Sequence, residues 1–404
     1  MSAPTQRWAY PVVLALLAVC LGVSGTPAPL YEVYADRWDF APVTVTVVFA
    51  VYAATALFAV LFSGAISDRV GRKPVLLVAV ALIVAGLVVF MLASATWHLV
   101  LARGLHGIGV GSAVVVGTAA LLDVRPDDGE RTGLRTGSIF PAGIGAAVLA
   151  TTLLAEFAPR PLVLPYAAVL VVVVVFAVAL LLMREPHQDD RTERLQIAWP
   201  RVPAEISAHF RFAALGVMAA WSVLGVFLSL YPAIAGRAVG AQGLLFGGTV
   251  VAVSSGAGAL APWVARRWPT RRGAMIGDLG TALFLVLAVP AVASGNGWLI
   301  AADSALLGFF FGLAFSGSLR HLTRHVPAGH RGEVMSAFYV LAYSALAVPT
   351  IAAGWAATVW DPETIFAPFM AVVAAACATA GLLGLRVRES EQSPTAAPDP
   401  AGVH

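Results

Sequence analysis

Apolar runs of about 21 residues recur twelve times along this 404-residue chain, and no other feature constrains its fold so tightly. They fall at about 10–33, 43–65, 75–95, 98–121, 133–155, 162–183, 210–232, 243–264, 274–294, 297–319, 334–356 and 364–385. A helix needs ~20 residues to cross the hydrocarbon core of a bilayer. Lipid offers no partner to a free backbone N–H or C=O, so each run must satisfy its own polar groups as a helix. The alternation over ~10-residue segments that marks a membrane barrel does not recur. The expected fold class is an all-α membrane protein of twelve transmembrane helices.

What lies between the runs is short. The longest polar stretches are 184–209 and the C-terminal tail from Arg386. Neither can bury a core, since chains below roughly 40 residues rarely fold alone. Charged residues make up 12% of the chain, about half the roughly 25% of soluble domains. These features exclude a soluble enzyme, a nucleic-acid-binding protein and an appended catalytic domain. No nucleophile–base pattern stands out, so no catalytic residue, cofactor or metal is expected. Cys20 and Cys377 both lie in apolar runs and read as small buried hydrophobes. Leu17-Ala18-Val19-Cys20 resembles a lipoprotein cleavage box, but Val19 is too bulky before the cysteine. The first run is therefore expected to stay as a helix.

Orientation follows from where the bases sit, because loops rich in Arg and Lys stay on the cytoplasmic side. With the N-terminus inside, the inner segments hold 21 of the 25 bases and the outer ones three, Arg37, Arg160 and Arg237. Arg103 lies within a run. Both termini are thus expected in the cytoplasm, with the chain in the cell inner (plasma) membrane.

The chain also repeats itself at half its length. Arg103-Gly-Leu-His106-Gly107-Ile-Gly-Val-Gly111 in the fourth run faces Asp303-Ser-Ala-Leu-Leu-Gly308-Phe-Phe-Phe-Gly312 in the tenth. Pro126 and Arg131 after the fourth match Pro327 and Arg331 after the tenth. Two six-helix halves related in this way form a recurring transporter architecture, with the substrate site between them. The expected organisation is an N-terminal half at 1–183, a cytoplasmic linker at 184–209, a C-terminal half at 210–388 and a disordered tail at 389–404. Within the linker, 202–212 reads as a short helix on the membrane surface.

The most informative loop follows the second run: Gly64-Ala-Ile-Ser-Asp68-Arg69-Val-Gly71-Arg72-Lys73-Pro74. Its glycines permit close approach or an unusual backbone angle. Asp68 is the lone acid among three bases. The loop resembles the signature G-x-x-x-D-R-x-G-R-K/R of the major facilitator superfamily, and positions 12–388 fit that family's layout. The resemblance implies two pseudo-symmetric halves that rock about a central substrate site. It also implies that this loop latches the halves on the cytoplasmic face, through Gly64, Asp68, Arg69, Gly71, Arg72 and Lys73. Arg131 is the expected partner of Asp68. The corresponding loop of the second half, Arg266-Arg267-Trp-Pro-Thr-Arg271-Arg272, has no acid.

A charge within a membrane span costs at least ~2.5–3.5 kcal/mol on insertion scales and usually faces a cavity with a partner. Arg103 is such a charge, and its surroundings resemble the family's fourth-helix motif R-x-x-Q-G-x-G, associated with proton coupling. His106 stands where the Gln is usual; either it titrates or it hydrogen-bonds a neighbouring helix. Asp303 holds the repeat-equivalent position, and the family places the fourth and tenth helices around the central cavity. Arg103 and Asp303 are therefore expected to meet across it. Glu32 is either a cavity-mouth acid or a solvated one, and Trp221 is the candidate cavity wall. Asp278, on the peripheral ninth span, is a weaker candidate.

In the fifth run, Gly137-Ser-Ile-Phe-Pro141-Ala-Gly143-Ile-Gly145 is similar to the exporters' motif G-x-x-x-G-P-x-x-G-G, with its glycines out of register. Pro141 would bend the helix, with Gly143 and Gly145 serving either that bend or close packing. His321 and His325 have metal-ligand spacing with His330 nearby, but no Glu lies between them and the setting is basic, so they are read as ordinary loop residues. The function expected is proton-coupled efflux of a small amphipathic or sugar-like solute. Proton-coupled uptake, facilitated diffusion and a transport-inactive receptor are the alternatives. The expected partners are the solute, protons and the bilayer, with a monomeric chain.

Overall fold

The computed structural model describes residues 6, 8–125, 129–186, 199–241, 243–327 and 330–387. Among them, twelve helices are long and apolar enough to cross a membrane. They are α1 (Ala9–Trp38), α2 (Pro42–Val70), α3 (Arg72–Met91), α4 (Thr96–Val124), α5 (Arg131–Phe157) and α6 (Leu164–Leu182) in the first half. The second half holds α7 (Ala204–Ser229), α8 (Leu245–Arg267), α9 (Thr270–Ala293), α10 (Gly297–His325), α11 (Gly332–Trp360) and α12 (Pro362–Leu383). The chain is a multi-pass membrane protein. The tail at 389–404 and most of the linker, 187–198, lie outside the described residues. Residues 202–212 do not form a separate surface helix: a 3-10 turn at Ala204–Ile206 leads straight into the helix Ser207–Ser229. Ile206, Phe210 and Phe212 are buried there, which draws the segment into the bundle.

The surface of the bundle is apolar where lipid would meet it. On α6, Val171, Val175, Leu181 and Leu182 are all exposed, and only Pro165, Tyr166, Val173 and Leu180 are buried. Trp97 and Trp298 stand exposed at the starts of α4 and α10, positions 201 apart. Tryptophan favours the membrane–water boundary, so the pair marks matching depth in the two halves.

Small residues set how closely the helices approach. A Cβ on Gly107 of α4 would stand 2.5 Å from the Tyr52 carbonyl oxygen of α2, and one on Gly111 would stand 2.7 Å from that of Ala56. In the second half, a Cβ on Gly312 of α10 would stand 2.6 Å from the Gly258 carbonyl oxygen of α8. The repeat in sequence is thus a repeat in packing: α4 lies on α2 as α10 lies on α8. Each half buries its own core, and a further cluster joins them. Phe49 and Ala53 of α2 and Val148 of α5 meet Leu228 of α7, Val251 of α8 and Leu346 of α11.

The first helix of each half is broken. The helix Ala9–Gly25 gives way at Thr26-Pro27 to a 3-10 turn at Ala28–Leu30, and helix resumes over Tyr31–Trp38. After α7, Leu230 separates Ser229 from a second helix, Tyr231–Ala238. Proline cannot donate an N–H and restricts the residue before it, so Pro27, Pro29 and Pro232 suit such breaks. Both breaks end at a tyrosine, and Tyr31 and Tyr231 are 200 residues apart.

Candidate site between the two halves

Arg103 is fully buried, and its partners all come from its own half. Its Nε donates to the Tyr31 hydroxyl at 2.7 Å and one terminal nitrogen donates to the Ser24 carbonyl at 2.9 Å. The rings of Tyr31, Phe49 and Tyr52 stand 5.0–5.6 Å from the guanidinium carbon. The break in α1 supplies both oxygens: Ser24 lies just before it and Tyr31 just after. A charge held by directed bonds and aromatic faces is tolerated at membrane depth.

Asp303 occupies the mirrored place in the second half. It is almost buried on α10, beside Ser304, whose hydroxyl meets that of Tyr231 at 3.1 Å. Both halves thus set a tyrosine, delivered by a broken first helix, against the charged turn of the fourth. The sequence reading missed these tyrosines, although their 200-residue offset is visible in it. The expected Arg103–Asp303 contact is absent: Arg103 donates to Ser24 and Tyr31, and neither carboxylate oxygen of Asp303 has a hydrogen-bond partner among the described residues. The reason is the repeat itself. Equivalent positions turn toward equivalent neighbours, so each charge faces the first helix of its own half.

His106 does not face the space between the halves either. Its ring packs at 5.3 Å from that of Phe90 and against Gly86, both on α3. Asp278 is fully buried within the second half, against Gly216 of α7 and Ser318 of α10. Trp221 does lie between the halves, 5.0 Å from Tyr343 and 5.8 Å from Phe315 by ring centroids.

A cleft opens between the halves on the side of Glu32. Tyr31, Glu32 and Val45 line it from one half; Ser229, Leu230, Pro232 and Arg237 line it from the other. Its volume is about 170 Å³, below the roughly 300–1,000 Å³ of a drug-sized site. Three contacts bridge its rim. Val43 N–H donates to Thr358 Oγ1 at 3.1 Å, Leu244 N–H donates to Glu156 Oε2 at 2.9 Å, and Arg237 stands 3.9 Å from Glu32. Arg237 also pairs with Glu363 at 2.8 Å. On α5, Gly143 and Gly145 face opposite ways. A Cβ on Gly143 would stand 2.9 Å from the Ala18 carbonyl carbon of α1, and one on Gly145 would stand 3.1 Å from the Ala252 carbonyl oxygen of α8. Pro141 sits inside this helix, which therefore runs as a wedge between the halves.

The Asp68 loop lies at the opposite end of the bundle. Arg72 is its hub: the guanidinium binds Asp68, Asp123 Oδ2 at 2.9 Å and Ser67 Oγ at 2.6 Å. Glu185 accepts from the backbone N–H of Arg72 at 2.8 Å and of Lys73 at 3.0 Å. A carboxylate is favoured there, at the N-terminus of α3. Lys73 Nζ donates to the Leu181 carbonyl at 2.8 Å. Gly71 has φ 106°, which L side chains rarely adopt, and a Cβ on it would meet Glu185 Oε2 at 2.6 Å. Gly64 lies against Val115 of α4, and Arg69 is exposed. Asp68 is engaged by Arg72 rather than Arg131, which lines a depression with Arg135, Trp263 and Arg266. Nothing local in the sequence marks Asp123 or Glu185 as partners, because both come from distant segments.

The profile of the family described as Major Facilitator Superfamily matches residues 12–350. Among curated proteins, the multidrug resistance protein MdtL of Klebsiella pneumoniae (strain 342) is 41% identical over 81 residues, 20% of this chain and 21% of that protein. The protein of the same name from Shewanella oneidensis is 36% identical over 145 residues, 35% of this chain and 36% of its own. That from Escherichia coli (strain K12 / DH10B) is 38% identical over 81 residues, 20% of this chain and 21% of its own. The chain thus spans about a fifth to a third of the length of these relatives.

Proposed function

The chain belongs to the major facilitator superfamily, and we propose that it is a secondary transporter that exports a small amphipathic or sugar-like solute in exchange for protons. The observation that carries this reading is the cleft between the halves, lined by Tyr31 of one broken first helix and by Leu230 and Pro232 at the break of the other. Helix breaks at corresponding places in two repeats are where transporters of this architecture build their binding sites. The cleft is too small for a drug-sized solute, so binding requires the halves to separate at one end. The names of the relatives, multidrug resistance proteins, favour export.

Within this reading Asp303 carries the coupling proton. It is buried at the place in the second half that Arg103 holds in the first, and its oxygens have no hydrogen-bond partner among the described residues. Arg103 and Tyr31 hold the first half's side of the site, Trp221 forms a wall, and Glu32 stands at the mouth. The Asp68 loop controls the opposite, cytoplasmic end, and α5 with Pro141, Gly143 and Gly145 is the hinge surface. The 21-to-3 distribution of bases supports an inner-membrane chain with both termini in the cytoplasm. Under that orientation the bridged rim of the cleft is the outer gate. The working unit is a monomer with halves at 1–183 and 210–388.

The test is an accumulation assay over a panel of solutes in energised inverted vesicles. At least one solute should accumulate and be released by an uncoupler. Accumulation of none, or uptake indifferent to the uncoupler, would count against proton-driven export.

A further inference from the structure

One cluster of imidazoles takes no part in the site described above. His321 and His325 lie one turn apart on α10 and so share a face. The first turn of α7 brings His209 against them, from 112 residues away in the chain. One ring nitrogen from each of the three lies within 4.8 Å of the others. We propose that His209, His321 and His325 form a binding site for a divalent transition-metal ion of the zinc type.

The spacing of the nitrogens is close to what such an ion needs. The His209 and His325 rings are stacked at 3.9 Å between centroids, so one of them must turn to aim its lone pair at the ion. With metal–nitrogen bonds of about 2.0–2.1 Å, two ligands of a tetrahedral site stand about 3.3 Å apart. His209 Nδ1 and His321 Nε2 are 3.1 Å apart. His325 Nδ1 lies 2.8 Å from the His321 carbonyl oxygen. That oxygen can only accept, so Nδ1 carries the proton and Nε2 keeps its lone pair. A ligating histidine typically donates its other nitrogen to a carbonyl or carboxylate, which fixes the ring. Phe212 packs edge-on against His321 with centroids 5.2 Å apart and shields the buried side. The two partly exposed histidines leave the other side open to water, the usual fourth ligand where protein supplies three.

The surroundings narrow the choice of ion. The positive charges of Arg271 of α9 and Arg324 of α10 act on His321 and oppose any cation there. A hard ion such as Mg²⁺ or Ca²⁺ needs carboxylate or carbonyl oxygens, and the three side chains offer none. Only an ion that forms directed bonds to imidazole overcomes that field, which selects zinc, nickel, copper or cobalt. The site ties α7 to α10 at the end of the bundle that carries the Asp68 loop's counterpart. It does not depend on the chain being an exporter.

Tag-free full-length protein in detergent, titrated with Co²⁺ and then with Zn²⁺ as competitor, tests the proposal. One equivalent of Co²⁺ should bind with the strong visible absorption of a tetrahedral centre, and Zn²⁺ should displace it. His209→Gln and His325→Gln should each weaken binding by more than about tenfold without moving the melting temperature. Both are partly exposed, so neither variant risks the fold as a change at buried His321 would. His330→Gln, which removes the partner of Glu333 at 3.0 Å, should bind as the parent does. Absence of saturable binding, or binding that survives both His209→Gln and His325→Gln, overturns the site.

Discussion

At the scale of single residues, the buried polar side chains are held within one half rather than across the gap. Arg103 donates to Tyr31 and Ser24. A hydrogen bond to a charged group contributes about 1.5–3 kcal/mol, and a neutral one about 0.5–1.5. Tyr31→Phe should therefore lower stability by about 1.5–3 kcal/mol, and Tyr231→Phe, which loses only Ser304, by less. Thermal melts of the two purified variants measure the difference. A double-mutant cycle on Arg103→Ala and Asp303→Asn should show coupling below about 0.5 kcal/mol, as for sites with no shared partner. A large rescue in the double variant would restore the cross-cavity pair read from the sequence. At the other end, Asp68→Asn takes one carboxylate from Arg72 but leaves Asp123 in place. The variant should insert and fold, yet lose most transport if the loop controls the halves. Normal flux from a well-expressed Asp68→Asn protein would remove that role.

At the scale of elements, the helices were legible and their irregularities were not. Twelve spans, two halves and the glycine-lined contacts of α4 and α10 follow from apolar run length and from the offset of about 200. The breaks at Thr26 and Leu230 lie within runs whose mean hydropathy stays high, so hydropathy passes over them, and only Pro27, Pro29 and Pro232 mark them in the sequence. The direction of a side chain around its helix was equally hidden. His106 looked like a cavity residue because the family's fourth helix is expected to line the cavity, but its ring packs against α3. Segments that meet only in three dimensions, such as Glu185 capping α3 or Glu156 reaching Leu244, left no local trace. The second contact yields a prediction. Glu156 closes α5 of one half onto the chain before α8 of the other, and Val43 to Thr358 does the same between α2 and α11. Glu156→Ala together with Thr358→Val removes two of the three bridges on the rim. A cysteine placed at Ser229, in the cleft, should then react faster with a membrane-impermeant thiol reagent. Cys20 and Cys377 are buried and give a low background. Unchanged labelling would mean that the rim is held by the apolar packing of Phe49, Val148 and Leu346 instead.

At the scale of the whole molecule, the question is what makes the two halves move in a coupled cycle. Of the two buried charges, Arg103 and Asp303, one can be addressed by a proton or a solute without first breaking a bond network. It is Asp303, in the second half, whose oxygens have no hydrogen-bond partner among the described residues. In the first half Arg103 is already tied through Nε to Tyr31 and through one terminal nitrogen to Ser24, which holds it in place as a feature of the wall. In the proposed cycle this carboxylate gains a proton where protons are abundant and loses it where they are scarce. Neutral, it can be enclosed as the halves close; charged, it resists enclosure, because burying an unpaired charge is costly. Under the proposed exchange, proton and solute would then alternate through one site. In proteoliposomes with an acidic interior, outward proton flow should drive solute inward against its gradient. Asp303→Asn keeps the size of the side chain and cannot carry the proton. It should abolish the response to the pH gradient while leaving solute–solute counterflow, which needs only the rocking of the halves. His106→Gln should keep both, since the ring faces α3. Gradient-driven transport that survives in Asp303→Asn would move the proton to another acid, with Asp278 the next to test. Flux in the parent protein that ignores the pH gradient would make the molecule a facilitator.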